Sequence, residues 1–211
     1  MGRDYQDWGQ SESALLRIAA QIHTERHRPT RLSPLVIMSD PDVHDDVLDL
    51  ARNTPRGAAI IYRHFGADDK VDVAHALRQI TFARDQQLLI GDDPALAIAC
   101  GADGVHFRRD GDVDAPTLWR ARCPDWLITM AGIKDDYVDY GGDVSVLDGL
   151  MVSSIFHSES KSAGKPIGID RLLSITAVLP APIYALGGVN ERTIEALTGT
   201  GISGVAGRFM F

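Results

Sequence analysis

One stretch, residues 88–110, restricts the fold more than any other part of the chain. It joins two short apolar runs through a segment of helical composition. Asp92 or Asp93 can cap a helix that begins at Pro94, a residue favoured in a first helical turn, and Gly101 can end it. Two apolar strands joined by a helix lie parallel in one sheet, so this stretch predicts an α/β fold.

The same alternation of apolar runs and helical segments fills the rest of the chain. Strands are predicted at 35–38, 58–62, 88–90, from 104, and at 126–130, 149–153, 183–186 and 205–206. Helices are predicted at 11–27, 42–53, 68–84, 94–100, 116–122, 133–140, 170–178 and 191–197. Eight strands alternating with helices predict a closed parallel TIM (β/α)8 barrel, with an open doubly wound sheet as the alternative. Residues 100–105 resemble residues 200–205, and because these copies open the fourth and eighth strands, they favour the barrel.

The chain is expected to form a single domain, with a barrel at 35–211 and an N-terminal part at 1–34 that packs on it. Residues 1–10 are expected to form a loose leader. No segment remains after the eighth strand for an eighth helix, so the N-terminal helix is predicted to take its place at the seam between the first and eighth strands. The apolar face of that helix carries Leu15, Ile18 and Ile22.

The charge balance limits the partners that the chain can have. Its net charge of -8 at pH 7 argues against broad binding to nucleic acid or to an anionic membrane surface. A phosphate ligand needs only a local basic patch. The N-terminus lacks the apolar core of a signal peptide, and no apolar run is long enough to span a membrane. We therefore expect a cytoplasmic protein with small-molecule partners; whether it forms a homo-oligomer stays open.

Glycine and polar residues follow several predicted strands, at the barrel face where the strands' carboxyl ends meet. After the seventh strand, Gly187 and Gly188 precede a predicted helix, whose N–H groups and positive end can bind a phosphate; a tight turn is the alternative. After the sixth strand, Ser158, Ser160 and Lys161 can surround an oxyanion, with an ordinary solvated loop as the alternative.

Charged residues follow the second, third and fourth predicted strands. Arg63 leaves the second strand and can bind an anion. Asp92 and Asp110 end the third and fourth strands, and such paired carboxylates can hold Mg²⁺ that bridges diphosphate oxygens. Helix capping by Asp92 and a plain surface position for Asp110 are the alternatives. His106 is expected to be a packed, hydrogen-bonded residue rather than a base.

Taken in order, these motifs resemble the thiamine phosphate synthase family, to which the thiazole tautomerases are related. The resemblance runs from about Leu35 to the C-terminus. Its most specific runs are Gly-Ala-Asp-Gly-Val-His at 101–106 and Ile-Phe-x-Ser-x-Ser-Lys at 155–161. The pattern also includes Ser39-Asp40, Arg63, Gly91-Asp92, Pro166-x-Gly168 and Ala-Leu-Gly-Gly-Val at 185–189.

The resemblance implies a transferase of thiamine biosynthesis. Such an enzyme joins hydroxymethylpyrimidine diphosphate to thiazole phosphate and releases pyrophosphate, with Mg²⁺. The diphosphate leaves, a benzylic-type cation forms on the pyrimidine, and the thiazole nitrogen must be held in line with it. The resemblance assigns phosphate or pyrophosphate to Ser158, Ser160 and Lys161, the thiazole phosphate to Gly187 and Gly188, the pyrimidine diphosphate to Arg63, and the metal to Asp92.

Two further positions follow from the same resemblance. The turn after the eighth strand, where the family carries a serine, reads Gly207-Arg208-Phe209. Arg208 is therefore expected to bind phosphate by its charge instead. The second metal ligand is either Asp110 or Asp112.

The chain departs from the family pattern beside its arginine and after the fifth strand. The glutamine and lysine that flank the family's arginine are Ile61 and Phe65 here, and the tautomerase histidine is missing after Met130. A second hypothesis is therefore a catalytically degenerate barrel that binds or senses a phosphate ligand. A thiazole tautomerase-like protein and a sugar-phosphate isomerase are weaker alternatives.

Overall fold

The computed structural model describes residues 5–132, 142–160 and 164–211. Eight strands form a closed parallel barrel in which each strand pairs with the next and the last pairs with the first. The strands are β1 Leu35–Met38, β2 Ala59–Tyr62, β3 Gln87–Gly91, β4 Gly104–Phe107, β5 Leu127–Ala131, β6 Gly149–Val152, β7 Ile183–Leu186 and β8 Gly204–Gly207. The predicted TIM (β/α)8 barrel is confirmed, and the doubly wound alternative is wrong.

The helices of the described residues surround this barrel. They are α1 Gln6–Gly9, α2 Ala14–Glu25, α3 Val47–Asn53, α4 Lys70–Ala83, α5 Pro94–Cys100, α6 Ala115–Arg122 and α7 Gly168–Val178, with 3₁₀ helices at Val144–Val146 and Ile194–Leu197. The helix predicted at 42–53 begins later, because Asp46 accepts the Leu48 N–H at 2.7 Å and caps it there. The α-helix predicted at 191–197 is wrong, since only a 3₁₀ turn forms. The helix predicted at 133–140 lies outside the described residues.

Two layers of apolar side chains hold the barrel together. One fills its interior, and the other lies between the strands and the helices, as expected when successive strand residues point to opposite faces. The interior layer contains Leu32, Val36, Met38, Ala59, Ile61, Leu89, Leu127, Met151, Tyr184 and Ala206. Tyr184 is fully buried there, and its hydroxyl donates to the Leu32 carbonyl at 3.0 Å. This interior packing fixes the eight strands relative to one another.

The N-terminal part of the chain packs on the outside of the barrel. Helix α2 contacts β8 and the 3₁₀ helix Ile194–Leu197, and its Leu15, Ile18 and Ile22 are buried. The prediction of a loose leader at 1–10 is wrong for α1, because Tyr5 and Trp8 are buried and their rings lie 4.7 Å apart. No helix among the described residues is long and apolar enough to cross a membrane.

Candidate functional site

A cavity of about 560 Å³ opens where the loops after β1, β2, β6, β7 and β8 meet. It brings together most of the residues predicted to bind phosphate, although they lie far apart in the chain. Those that line it are Arg63, Ser158, Ser160, Gly187, Gly188, Gly207 and Arg208. Lys161 lies outside the described residues. Asp92 and Asp110, the predicted metal ligands, are not among the residues that line this cavity.

The two glycines after β7 are required by backbone geometry. Gly187 has φ +88° and Gly188 has φ +71°, a region that residues with a side chain adopt only at a cost. A Cβ on Gly187 would lie 2.8 Å from Cβ of Ser154, and one on Gly188 would collide with the His157 carbonyl oxygen. The Phe156 N–H donates to the Gly187 carbonyl at 3.0 Å. The loops after β6 and β7 therefore form one wall, packed backbone against backbone.

The segment after these glycines differs from the sequence prediction. Thr193 Oγ1 donates to the Gly188 carbonyl at 2.9 Å and accepts the Asn190 N–H at 3.0 Å, which closes a tight turn. Only the short 3₁₀ helix Ile194–Leu197 follows. The expected contribution of an α-helix N-terminus to this wall is therefore wrong, and the positive charge of the cavity comes from side chains instead.

Two arginines meet at one carboxylate across this cavity. Asp40 Oδ2 lies 3.1 Å from an Nη of Arg63 and 3.2 Å from an Nη of Arg208. Arg63 is fixed further by Ser39, which accepts its Nε–H at the carbonyl oxygen (2.7 Å) and its backbone N–H at Oγ (2.8 Å). We call this three-residue arrangement, Arg63–Asp40–Arg208, the arginine bridge. It ties together the ends of β1, β2 and β8.

Burial and the charges of the arginine bridge shift the pKa values of Asp40 and Arg63. Burial raises the pKa of Asp40, but the Asp42 N–H and the two guanidinium groups outweigh it and hold that pKa below its ordinary value. Burial and the nearby Arg208 lower the pKa of Arg63, although Asp40 opposes this effect. A guanidinium starts from such a high pKa that Arg63 stays charged at neutral pH. The arginine bridge therefore carries a net charge of about +1.

His44 connects the loop of Asp40 to the segment of Arg208. Its Nδ1 accepts the Asp40 N–H at 3.1 Å, so in the neutral ring Nε2 carries the hydrogen and donates to the Phe209 carbonyl at 3.2 Å. The Phe209 ring packs against Gly207, where a Cβ would lie 2.7 Å from it. Gly207 thus leaves room for the ring that fixes the residue after Arg208. No sequence motif singles out His44 for this role.

Asp92 and Asp93 have different partners, and these partners show which of the two residues caps α5. Asp93 caps α5 by accepting the Leu96 N–H at 2.9 Å. Asp92 pairs instead with Arg108, accepting from its Nε at Oδ2 and from its backbone N–H at Oδ1 (3.3 Å). Capping by Asp92 is therefore wrong, and both oxygens of its carboxylate are already in use.

The described acids do not form the ligand set expected for Mg²⁺. Asp110 is exposed, and Asp112 accepts the Asp114 N–H at 2.9 Å ahead of α6. Within residues 5–132, 142–160 and 164–211, no group of three or more His, Cys, Asp or Glu side chains could hold a metal ion. Asp92 is paired with Arg108 and no other described acid completes a ligand set with it, so these residues do not fit a magnesium site, and magnesium binding stays a prediction.

His106 on β4 is a packed residue, as expected. It is buried, and its Nδ1 lies 2.9 Å from Thr129 Oγ1 on β5. Burial, with a smaller effect of Arg63, lowers its pKa to about 3. The ring is therefore neutral at physiological pH and is a poor proton acceptor.

These features define a parallel (β/α)8 barrel whose strand ends carry glycine turns, hydroxyls and guanidinium groups around one cavity. Residues 35–209 match the model of the thiamine monophosphate synthase family. The chain belongs to that family.

Individual relatives align over most of the chain. A thiamine-phosphate synthase of Moorella thermoacetica is 30% identical over 165 residues, which are 75% of this chain and 77% of that protein. A thiamine-phosphate synthase of Leuconostoc citreum is 28% identical over 187 residues, or 84% of this chain and 87% of that protein. These matches support a place in thiamine biosynthesis.

Solved structures share the barrel at lower identity. Thiamine phosphate pyrophosphorylase from Pyrococcus furiosus matches 82% of this chain and 83% of its own, with a TM-score of 0.65 and 22% identity. A glycerol uptake operon antiterminator regulatory protein from Listeria monocytogenes matches 83% and 91%, with a TM-score of 0.54 and 15% identity. These likenesses show the fold alone, and the fold carries both an enzyme and a regulator.

Proposed function

We propose that this protein couples hydroxymethylpyrimidine diphosphate to thiazole phosphate and releases pyrophosphate. The observation that carries this proposal is the single cavity that collects Gly187, Gly188, Ser158 and Ser160 together with the two arginines. Two phosphorylated substrates need two sets of anion donors, and this cavity offers a glycine and serine wall and a guanidinium wall.

The two walls have different tasks in the proposed reaction. The wall of Gly187 and Gly188, with the hydroxyls of Ser158 and Ser160, holds the thiazole phosphate and so positions the thiazole nitrogen for attack. Arg63 and Arg208 donate to the diphosphate. As the carbon–oxygen bond breaks, negative charge builds up on the leaving pyrophosphate, and these fixed donors interact more strongly with it than with the substrate. Lys161 is proposed as a further phosphate contact on the strength of the family motif.

A coupled assay tests the proposal. The protein is incubated with both substrates and Mg²⁺, and thiamine phosphate is measured. We expect product from the wild type and at least about 10-fold less from Arg63→Ala, because a charge-assisted contact to the leaving group is lost. Arg52→Ala is the matched control, since Arg52 pairs with Asp49 on the exposed face of α3. Absence of product where a control synthase forms it contradicts the proposal.

A second function is favoured by one observation. The side of the barrel mouth at β3 and β4 presents the ion pair of Asp92 and Arg108, and both oxygens of this carboxylate are taken. A barrel that keeps its anion-binding walls but lacks a metal at that position would bind a phosphorylated ligand without turning it over. Saturable binding of thiazole phosphate with no product in the coupled assay would favour this regulatory function.

A further inference from the structure

We propose that the arginine bridge binds phosphoryl groups without a divalent cation. The inference rests on the proposed function for the identity of the ligand, a diphosphate, and adds how that ligand is held. In a magnesium site, carboxylates hold the ion and the ion holds the phosphates. Here the cavity presents two guanidinium groups directly.

The geometry leaves hydrogen-bond donors available for a ligand. A guanidinium has five N–H donors in a planar fork that matches phosphoryl oxygens. The contacts within the arginine bridge use Nε and one Nη of Arg63 and one Nη of Arg208. Both arginines therefore keep further donors, and both line the cavity described above as well as an adjoining one of about 700 Å³.

Asp40 acts as a positioning residue for this pair of cations. Two guanidinium groups in one partly buried place repel each other, and burial together with this smaller repulsion lowers the pKa of Arg63. The carboxylate between them offsets it and fixes one Nη of each. His44 supports the arrangement by joining the Asp40 N–H to the Phe209 carbonyl. Two cations are thus held in place before the ligand arrives, and less entropy is lost on binding.

The opposite side of the barrel mouth presents an ion pair instead of a free carboxylate. The carboxylate of Asp92, the position that the resemblance assigns to metal, accepts two contacts from Arg108. A divalent cation there would compete with the Arg108 guanidinium at Oδ2 and with the Arg108 backbone N–H at Oδ1. Among the described residues, the excess positive charge at the cavity is therefore supplied by Arg63 and Arg208, while Asp92 is held in an ion pair.

Titration of inorganic pyrophosphate into the full-length protein tests this inference. Binding is measured by calorimetry once with EDTA and once with Mg²⁺ in excess. We expect the dissociation constant in EDTA to be equal to, or lower than, the value in Mg²⁺, because the guanidinium groups compete with the metal for the same phosphoryl oxygens. Affinity should also fall as salt is added, since the contact is electrostatic.

Variants locate the binding in the arginine bridge. Arg208→Ala should weaken pyrophosphate binding in EDTA by about 10-fold or more, the usual loss for a charge-assisted contact. Asp40→Asn should also weaken it, and Asp40→Glu should restore part of the affinity because it keeps the carboxylate. The exposed pair of Arg52 and Asp49 provides matched controls, Arg52→Ala and Asp49→Asn, which change the charge equally and should leave binding unchanged.

Two results would overturn the inference. One is binding seen only with Mg²⁺ and abolished by Asp92→Asn, and the other is Arg208→Ala binding as tightly as the wild type in EDTA. Circular dichroism of each variant checks that it folds, and Arg208→Lys provides a second substitution at the same position. Failure of the proposed function is a separate result: a protein that forms no thiamine phosphate can still bind pyrophosphate in EDTA.

Discussion

Gly188 contributes to the cavity through its backbone rather than through a side chain. Its positive φ turns the chain after β7, and the absence of a Cβ lets the loop after β6 approach it closely. Glycine is therefore required at this position for two independent reasons: the positive φ and the close contact with the loop after β6. A substitution at Gly188 should change both stability and the shape of the anion-binding wall.

Gly188→Ala is expected to destabilise the protein by two effects. The positive φ costs about 1–3 kcal/mol for a residue with a side chain, and the collision with the loop after β6 adds about 1–3 kcal/mol. Gly199→Ala is the matched control, because Gly199 has φ +70° but no atom within 4 Å of an added Cβ. Urea unfolding should show the larger loss for Gly188→Ala, and only that variant should lose affinity for inorganic phosphate. Equal losses in the two variants would contradict a close contact at Gly188.

Individual residues of the site could be predicted where a local sequence pattern indicated them. Gly187 and Gly188 were found because a glycine pair between a strand and a helical segment suggests a turn that faces a ligand. Asp40 was noted only as part of the family motif, and its partner Arg208 lies 168 residues away in the chain. No local pattern shows that β1 and β8 bring these two together. The signal that could have suggested it was the closed barrel itself, in which the first and last strands are neighbours.

At the level of elements, strands followed from the sequence more closely than helices did. Short apolar runs bounded by glycine, proline and aspartate fixed most strand bounds to within one residue. The helix ends depended on which polar side chain accepts which N–H. At α3, Asp46 caps the helix at Val47. Because several aspartates precede that helix, composition alone cannot choose among them.

The assignment of the α5 cap to Asp93 rather than to Asp92 can be tested by mutation. Asp93→Ala should lower the free energy of unfolding by about 0.5–2 kcal/mol, the usual cost of a lost N-cap, and it also removes the 2.7 Å ion pair with Lys70. Asp69→Ala is the control, since Asp69 precedes α4 but caps it with no side-chain hydrogen bond. Urea unfolding at pH 7 should show little change for that variant. A loss as large as that of Asp93→Ala would contradict the assignment.

The effect of Asp93 should also depend on pH. Burial raises the pKa of Asp93, but hydrogen bonds from Lys70 and from the Leu96 N–H outweigh it and lower the pKa below the ordinary value. A carboxyl with a lowered pKa in the folded state stabilises the protein fully above its unfolded pKa of about 3.9. That contribution is lost as the pH falls through the folded-state pKa. The difference between the wild type and Asp93→Ala should therefore shrink below about pH 4.

At the scale of the whole molecule, a helix from the N-terminal part of the chain covers the outside of the barrel next to the last strand. The last strand, β8, has no helix after it among the described residues, and the segment between β7 and β8 forms only a 3₁₀ turn. Both leave apolar surface on the outside of the barrel. Helix α2 contacts both places, so a helix from the N-terminal part of the chain stabilises its last strand. The sequence predicted an N-terminal helix at the seam between β1 and β8, and the contacts of α2 are with β8 and with the 3₁₀ helix between β7 and β8.

Ile22 provides the test of that arrangement. It is 2% exposed in the layer that α2 shares with the barrel, and Ile22→Ala should lower the free energy of unfolding by about 2–5 kcal/mol through lost burial and the cavity left behind. Leu173→Ala on α7 is the control, because Leu173 is 43% exposed and should change stability by about 0.5 kcal/mol or less. Unfolding should be followed by both circular dichroism and an apolar dye. If α2 is part of the cooperative unit, both probes give the same midpoint for Ile22→Ala. Dye binding well before the loss of secondary structure would mean that α2 detaches on its own. Helix α2 would then not belong to the cooperative unit of the barrel.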